Sequence, residues 1–520
     1  MISGQIGRSF QRKPLERHLN ACLHETLGDL DQAGVFSQTG AATNKGIAGD
    51  VVEQSILFLK RDSKQEPDIV VDGVRYEVKS TGIRRSKRDK RELEAKEPVS
   101  ITAVSPDRIV AEDFDDSAFL HKIAHIVFFY YLYNSDQVCS MLKYADFPFV
   151  SYQFHEFTDF TEEEQRTLEA DWACVRDFIA TLQRTFVDFR SQYPRLSSEL
   201  RDSLLLLDTA PKWPHPPRFR FKRSFVTNIF RRHLEGRHAL EQLPERITSK
   251  EELVRKCRAI AAKYAGKTIQ SLLQLFGITP SSSLKSIAEP LIVKMFGGQG
   301  KRMEGVEFFS KVGIIGKSVV LTASGGRTED AKFFTIDFEE FARDGLRFED
   351  SQFYEYFSSH RLLAIVFEEP SHDAPLLHNK FLGFSLVSFP ESFIQHDVRT
   401  VWERTRSLIL QRTLKDVPII DHDTGLPVLN KNGVVRSAPN FPKSSEGNVF
   451  IRGTSTDSSN KPELVNGIRM YYQQVWMKGS LLADWIANAG ILPGTSFVDN
   501  DSPEESDFDR EAADENDSAP

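Results

Sequence analysis

The chain has no apolar run near the ~20 residues needed to cross a bilayer, and residues 1–8 lack the apolar core of a secretion signal. A cytoplasmic location is the expectation. Cysteine is scarce: the four thiols, Cys22, Cys139, Cys174 and Cys257, show no metal-ligand spacing and imply a reducing compartment. His121 and His125 stand four apart but run into the apolar stretch 126–133, so zinc is not expected. An excess of positive charge is missing too, at a formal net charge of −8. That total hides its distribution. Residues 498–520 hold ten acidic side chains against Arg510 alone, which leaves residues 1–497 at +1 and able to carry local basic stripes. The acidic tail is expected to be disordered.

What is present begins with Pro67-Asp68-Ile69-Val70-Val71-Asp72-Gly73-Val74-Arg75-Tyr76-Glu77-Val78-Lys79. Asp72-Gly73 between two β-rich runs signals a hairpin with a two-residue loop, over strands 68–71 and 74–79. The register then pairs Val71 with Val74, Val70 with Arg75, Ile69 with Tyr76, and Asp68 with Glu77. Opposed like charges are destabilising, and a divalent cation would offset that cost. Lys79 shares a face with Glu77. Two carboxylates and an ammonium group suit phosphodiester hydrolysis, because Mg²⁺ takes one or two protein carboxylates together with substrate phosphate oxygens.

Upstream, Asn44-Lys45-Gly46-Ile47-Ala48-Gly49-Asp50-Val51-Val52-Glu53-Gln54-Ser55-Ile56 reads as a helix with an Asn cap, and Glu53 supplies a third acid. The run Lys-Gly-x-x-Gly-x-x-x-Glu, then Pro-Asp, then Glu-x-Lys, then a basic segment, closely resembles the MutH-like DNA endonucleases. The resemblance implies that Glu53, Asp68 and Glu77 surround the metal and that Lys79 completes a catalytic site of PD-(D/E)xK type. The spacing from Asp68 to Glu77 is slightly longer than in some relatives, which leaves the turn open to difference.

Arg218-Phe219-Arg220-Phe221-Lys222-Arg223-Ser224-Phe225-Val226-Thr227-Asn228-Ile229 is similar to a strand-to-helix segment that lines the DNA groove in that family. Arg220, Lys222, Arg223, Ser224 and Thr227 become candidate DNA contacts, since charged and hydroxyl side chains suit base edges and phosphates. Lys45 and the polycation Arg84-Arg85-Ser86-Lys87-Arg88-Asp89-Lys90-Arg91 add Arg84, Arg85 and Lys87, placed to meet the phosphate backbone.

The chain also repeats itself. Lys45 to Glu53 aligns with Lys285 to Val293, Gly73 with Gly313, and His121 to Phe128 with His360 to Phe367. Trp172-x-x-x-Arg176 echoes Trp402-x-x-x-Arg406, and Phe221-Lys222-Arg223-Ser224-Phe225 echoes Met477-Lys478-Gly479-Ser480-Leu481. The second copy has Val293 where Glu53 stands and Ile315 or Gly316 where Glu77 stands, so its metal site is gone. Lys443, Arg452 and Lys478 persist as candidate DNA contacts.

The expected fold class is α/β: two tandem MutH-like, restriction-endonuclease-like domains with mixed sheets flanked by helices. Residues 1–240 form the catalytic domain, 250–494 the degenerate effector domain and 498–520 the tail, with a linker near 237–248. Strand 126–133 and a helix opened by the capping box Thr161-x-x-Glu164, with Leu168, Trp172, Val175, Ile179 and Leu182 on its apolar face, belong to the first domain. The arrangement resembles the two-domain type II restriction endonucleases of the MutH family. It implies Mg²⁺-dependent cleavage at GATC leaving 5′-phosphates and 3′-hydroxyls, a second DNA site bound by the C-terminal domain, and a monomer that pairs on DNA. A cognate DNA methyltransferase is the implied partner. Two other functions fit the same residues: a strand-nicking mismatch-repair endonuclease, against which the second copy argues, and a non-catalytic DNA-binding regulator, against which the intact first copy argues.

Overall fold

A computed structural model describes residues 2–489 except 39–45, 60–67, 87–90, 136–140, 201–202, 211–216, 235–239, 280–284, 328, 343–344, 372–373, 422–423, 430–432, 434 and 455–460. Asn44, Lys45, Pro67, Lys87, Cys139 and the acidic tail thus lie outside the described residues.

In the first half, strands β1 (Ser9–Phe10), β2 (Ile69–Val71), β3 (Val74–Arg85), β6 (His125–Leu132) and β7 (Phe149–Glu156) make one mixed sheet in the order β1-β2-β3-β6-β7, and β4 (Leu93–Ala95) pairs with the end of β3. The hairpin has the expected register, with Ile69, Val70 and Val71 opposite Tyr76, Arg75 and Val74. Asp72 and Gly73 take φ of 48° and 86°, the left-handed pair that a type I′ turn demands. β3 is longer than expected because, beyond the hairpin, its centre finds a parallel partner in β6 and its end an antiparallel one in β4.

The near-continuous apolar run of β6 is explained by burial on both faces. Ile126, Phe128 and Tyr130 enter one core; Val127 and Phe129 enter another, beneath α1 (Arg12–Cys22), where Leu15 and Leu19 meet Val52 and Ile56. Helix α2 (Ile47–Val51) continues as a single π turn, Val52–Ile56. Helix α3 (Ala118–Ile123) leads into β6. Helix α4 (Glu162–Thr185) opens on the reciprocal Thr161–Glu164 capping box and buries Leu168, Trp172, Val175, Ile179 and Leu182. A second sheet, β5 (Val99–Ala103), β9 (Arg218–Phe221) and β8 (Leu207–Ala210), is antiparallel with β9 central, and β9 runs into α5 (Arg223–Leu234).

In the second half come α6 (Lys250–Tyr264), α7 (Lys285–Met295), α8 (Glu307–Val312), β10 (Ile314–Leu321), β11 (Ala331–Thr335), α9 (Gln352–Ser359), β12 (Arg361–Glu368), β13 (Lys380–Val387), α10 (Arg399–Leu410), β14 (Val449–Gly453), β15 (Gln473–Met477) and α11 (Gly479–Asn488). β10 and β12 are parallel and β12 and β13 antiparallel, the same order and sense as β3, β6 and β7. β15 stands central between β11 and β14 and runs into α11, as β9 runs into α5.

The segment read as a linker carries no helix where it is described, and it is anchored at two points. Glu241 bridges to Val306, and Ile247 is buried. One apolar core continues across it, joining Phe225, Val226 and Phe230 of the first half to Leu253, Val293, Phe309 and Ile365 of the second.

Candidate active site

β3 carries Glu77 and Lys79 at successive same-face positions, with Lys79 Nζ 3.4 Å from Glu77 Oε2. Glu77 is only 6% exposed. Its other oxygen accepts from the Nζ of Lys122, on α3. A carboxylate this deep is tolerated because both oxygens meet ammonium groups. Asp68 stands one residue before the paired residues of β2. Instead of facing Glu77 as a bare charge, its Oδ2 accepts from Val78 N at 2.8 Å. Arg8 Nη1 donates to the Asp68 carbonyl at 3.1 Å and so holds that end of β2.

Glu53 comes from the π turn after α2, a local widening that recurs at functional sites because it re-aims one side chain. Gly49 lets α2 approach β3 closely: a Cβ there would stand 3.2 Å from Ser80 Oγ. Burial raises the Glu53 pKa first, then the like charges of Asp68 and Asp50, while Lys79 and Arg8 pull it down. Glu53, Asp68 and Lys79 therefore share one electrostatic neighbourhood. Lys122 and Arg8 are additions the motif did not contain. Lys122 could be found only as a member of the repeated His121–Phe128 run.

Among the described residues, no three His, Cys, Asp or Glu side chains are grouped tightly enough to cage an ion. The donors present fit a different kind of site. The charges of Asp68 and Asp50 raise the pKa of half-buried Glu53, a repulsion that a divalent cation would relieve, and such an ion can be held by one or two carboxylates with substrate phosphate completing its shell.

The candidate DNA contacts are differently placed. Arg220 pairs with Asp208 through two hydrogen bonds of 2.6 and 3.0 Å. Lys222 donates to the Leu204 carbonyl, which also accepts from Arg361 of the second half. Ser224 Oγ donates to Lys311 O at 2.7 Å. Thr227 accepts from Ala95 N and donates to Arg223 O. Arg84 and Arg223 pair with Glu94 and Glu355. In this structure, which holds no DNA, these side chains have protein partners. Arg85 is exposed at the end of β3. In the second half Lys443 is exposed, Arg452 is paired with Asp330 and stacked over Trp476, and Lys478 occupies the position just before α11 without a side-chain cap.

If His121–Phe128 and His360–Phe367 correspond, the strand register corrects the second copy's alignment. Glu77 faces Ile126 and Lys79 faces Phe128; opposite Ile365 and Phe367 stand Ser318 and Val320, not Ile315 or Gly316. The acid is missing on either alignment, and Val293 is fully buried.

Residues 57–171 match the family model described as DNA mismatch repair enzyme MutH. That stretch, a MutH-like domain, holds Asp68, Glu77, Lys79 and Lys122, with Glu53 just before it. Over 397 residues the chain is 23% identical to the type II restriction enzyme Sau3AI of Staphylococcus aureus, covering 72% of this chain and 76% of that one. Over most of its length it is thus similar to a MutH-like type II restriction endonuclease. No helix among the described residues is long and apolar enough to cross a membrane.

Proposed function

We propose that this protein is a type II restriction endonuclease that hydrolyses both strands of double-stranded DNA at a short palindrome, GATC by resemblance, using Mg²⁺. The observation that carries the reading is Glu77 clamped between Lys79 and Lys122, with Asp68 bonded to the next residue, Val78, and with Asp68 and Lys79 both acting on the charge of Glu53. Glu53 and Asp68, joined by Glu77 once it leaves its lysines, would hold Mg²⁺, which would supply polarisation of the scissile phosphate. Lys79 then orients the attacking water, and Lys122 offers its charge to the phosphate oxygens as they gain negative charge. Water adds to phosphorus, the 3′ oxygen leaves and takes a proton, and the ends are a 5′-phosphate and a 3′-hydroxyl.

Residues 1–240 serve as the catalytic domain and 250–494 as a second DNA-binding domain that has lost the chemistry. The recurring strand order and the absence of acids at Val293 and Ser318 support this division. The second half binds another copy of the site and promotes cutting by the first. The chain acts in the cytoplasm as a monomer that pairs on DNA, beside a methyltransferase that protects host sites. Incubating genomic DNA with Mg²⁺ and sequencing the ends tests the activity and its site together. Defined ends at GATC are expected, and undigested DNA or random ends would refute it. DNA with two sites should be cut faster than DNA with one, and an uncleavable duplex bearing the site should rescue the slow substrate.

A further inference from the structure

The seam between the halves holds an ion cluster that the cleavage chemistry leaves unused. Arg84, on the same strand as Glu77 and Lys79, places Nε and Nη2 each 3.0 Å from Glu94 Oε1 of β4. Arg223, the first residue of α5, lies 3.5 Å from Glu94 Oε2. Glu355, from α9 in the second half, pairs with both guanidinium groups. All four side chains are between 14% and 25% exposed. Burial lowers the Arg223 pKa to about 10. Burial also works to raise that of Glu94, but Arg223 and Arg84 outweigh it and the net shift is downward.

Two cations and two anions make a neutral set, and only Glu355 comes from outside the first half. Without it, two covered guanidiniums would share one carboxylate, a costly arrangement away from water. The elements they sit on matter. α5 is fastened to β4 by Ala95 N donating to Thr227 Oγ1 at 3.0 Å and by Arg231 Nε donating to Leu93 O at 2.9 Å. β4 in turn pairs with the end of β3. The catalytic strand and the helix that follows β9 are therefore held together by β4 on one side and by Glu355 on the other.

We propose that Glu355 is a positioning residue for DNA cleavage: from the second half it fixes the end of β3 against the start of α5. This rests on the endonuclease reading above. An ordinary interface ion pair would add stability alone, so the test separates rate from stability. Full-length wild type, Glu355→Gln and Glu355→Asp are compared by steady-state and single-turnover cleavage of a one-site duplex with Mg²⁺. Glu349→Gln, which unpairs Arg399 within the second half, is the control. Glu355→Gln is expected to lower kcat by about 10- to 100-fold, the scale of a small misplacement far from the chemistry, with KM little changed. Glu355→Asp should restore most of the rate, and the control should match wild type. If Glu355→Gln does not fold, Glu355→Gln with Arg84→Gln restores charge balance and should fold yet stay slow. Wild-type kcat in whichever of these variants folds overturns the proposal. An inactive wild type would instead overturn the endonuclease reading, and the proposal with it.

Discussion

Lys122 decides how Glu77 can be charged and buried at once, and it sets the first prediction. Replacing it with Met leaves one buried Glu77 oxygen without its cation. Cleavage should fall by about 10²- to 10³-fold, the usual cost of losing one donor aimed at developing charge, while gel-shift affinity for the same duplex in Ca²⁺ stays near wild type. Unchanged cleavage would remove Lys122 from the site. Glu53, on a separate helical turn, was tied to the site only by the family resemblance, whereas proximity of Asp68, Glu77 and Lys79 could be read from sequence because a two-residue turn and the period of a strand fix where neighbours fall. Lys122 could not, since it reaches Glu77 across 45 positions. The same limit governs the basic residues. A run such as Arg84-Arg85 announces charge, but of the partners of Arg84, Glu94 lies ten residues on and Glu355 stands 271 residues away.

At the scale of elements, β7 carries a histidine whose environment makes stability depend on pH. His155 is 2% exposed, its ring 4.4 Å from that of Phe160, with Nδ1 accepting from Gln153. Burial holds its pKa down at about 4 from 6.5, with Arg232 adding to the effect and Asp159 opposing it. Between those two values the unfolded chain binds the proton and the folded chain does not, so stability falls as pH falls. The loss should approach about 3 kcal/mol by pH 4. Urea unfolding of His155→Phe and wild type from pH 7 to pH 4 should show the difference between them drifting by that amount in favour of Phe. A pH-independent difference would mean that the imidazole charges inside the fold. β6 and α4 were legible for complementary reasons: an unbroken apolar run must be covered on both faces, and a capping box marks a helix start. The π turn at Glu53 has no such signature, because its widened hydrogen bonding leaves apolar spacing almost unchanged.

For the whole molecule, the repeats in sequence have counterparts in strand order, yet they do not make two separable bodies. The core that joins Phe225 and Phe230 to Leu253, Phe309 and Ile365 would be cut open by division near residue 247. A fragment spanning 250–494 is therefore expected to bind a dye for exposed apolar surface and to melt without a cooperative transition. A sharp transition at a temperature close to that of the full chain would show the halves to be independent. Composition gave no sign of this: within the stretch near 237–248 read as a linker, Gln242, Pro244, Glu245 and Arg246 are exposed, yet Glu241 bridges to Val306 and Ile247 is buried.

A packed seam also has a meaning for the DNA itself. Two reading surfaces joined by a flexible tether would accept any rotation of one site relative to the other, whereas surfaces locked by a shared core present a fixed angle between them. A duplex shorter than its persistence length of roughly 150 bp cannot twist freely to compensate. Cleavage of short two-site duplexes should thus rise and fall with the spacing between sites, repeating every ~10 bp as the second site rotates around the helix axis. A rate that ignores spacing would show that the seam opens when DNA binds.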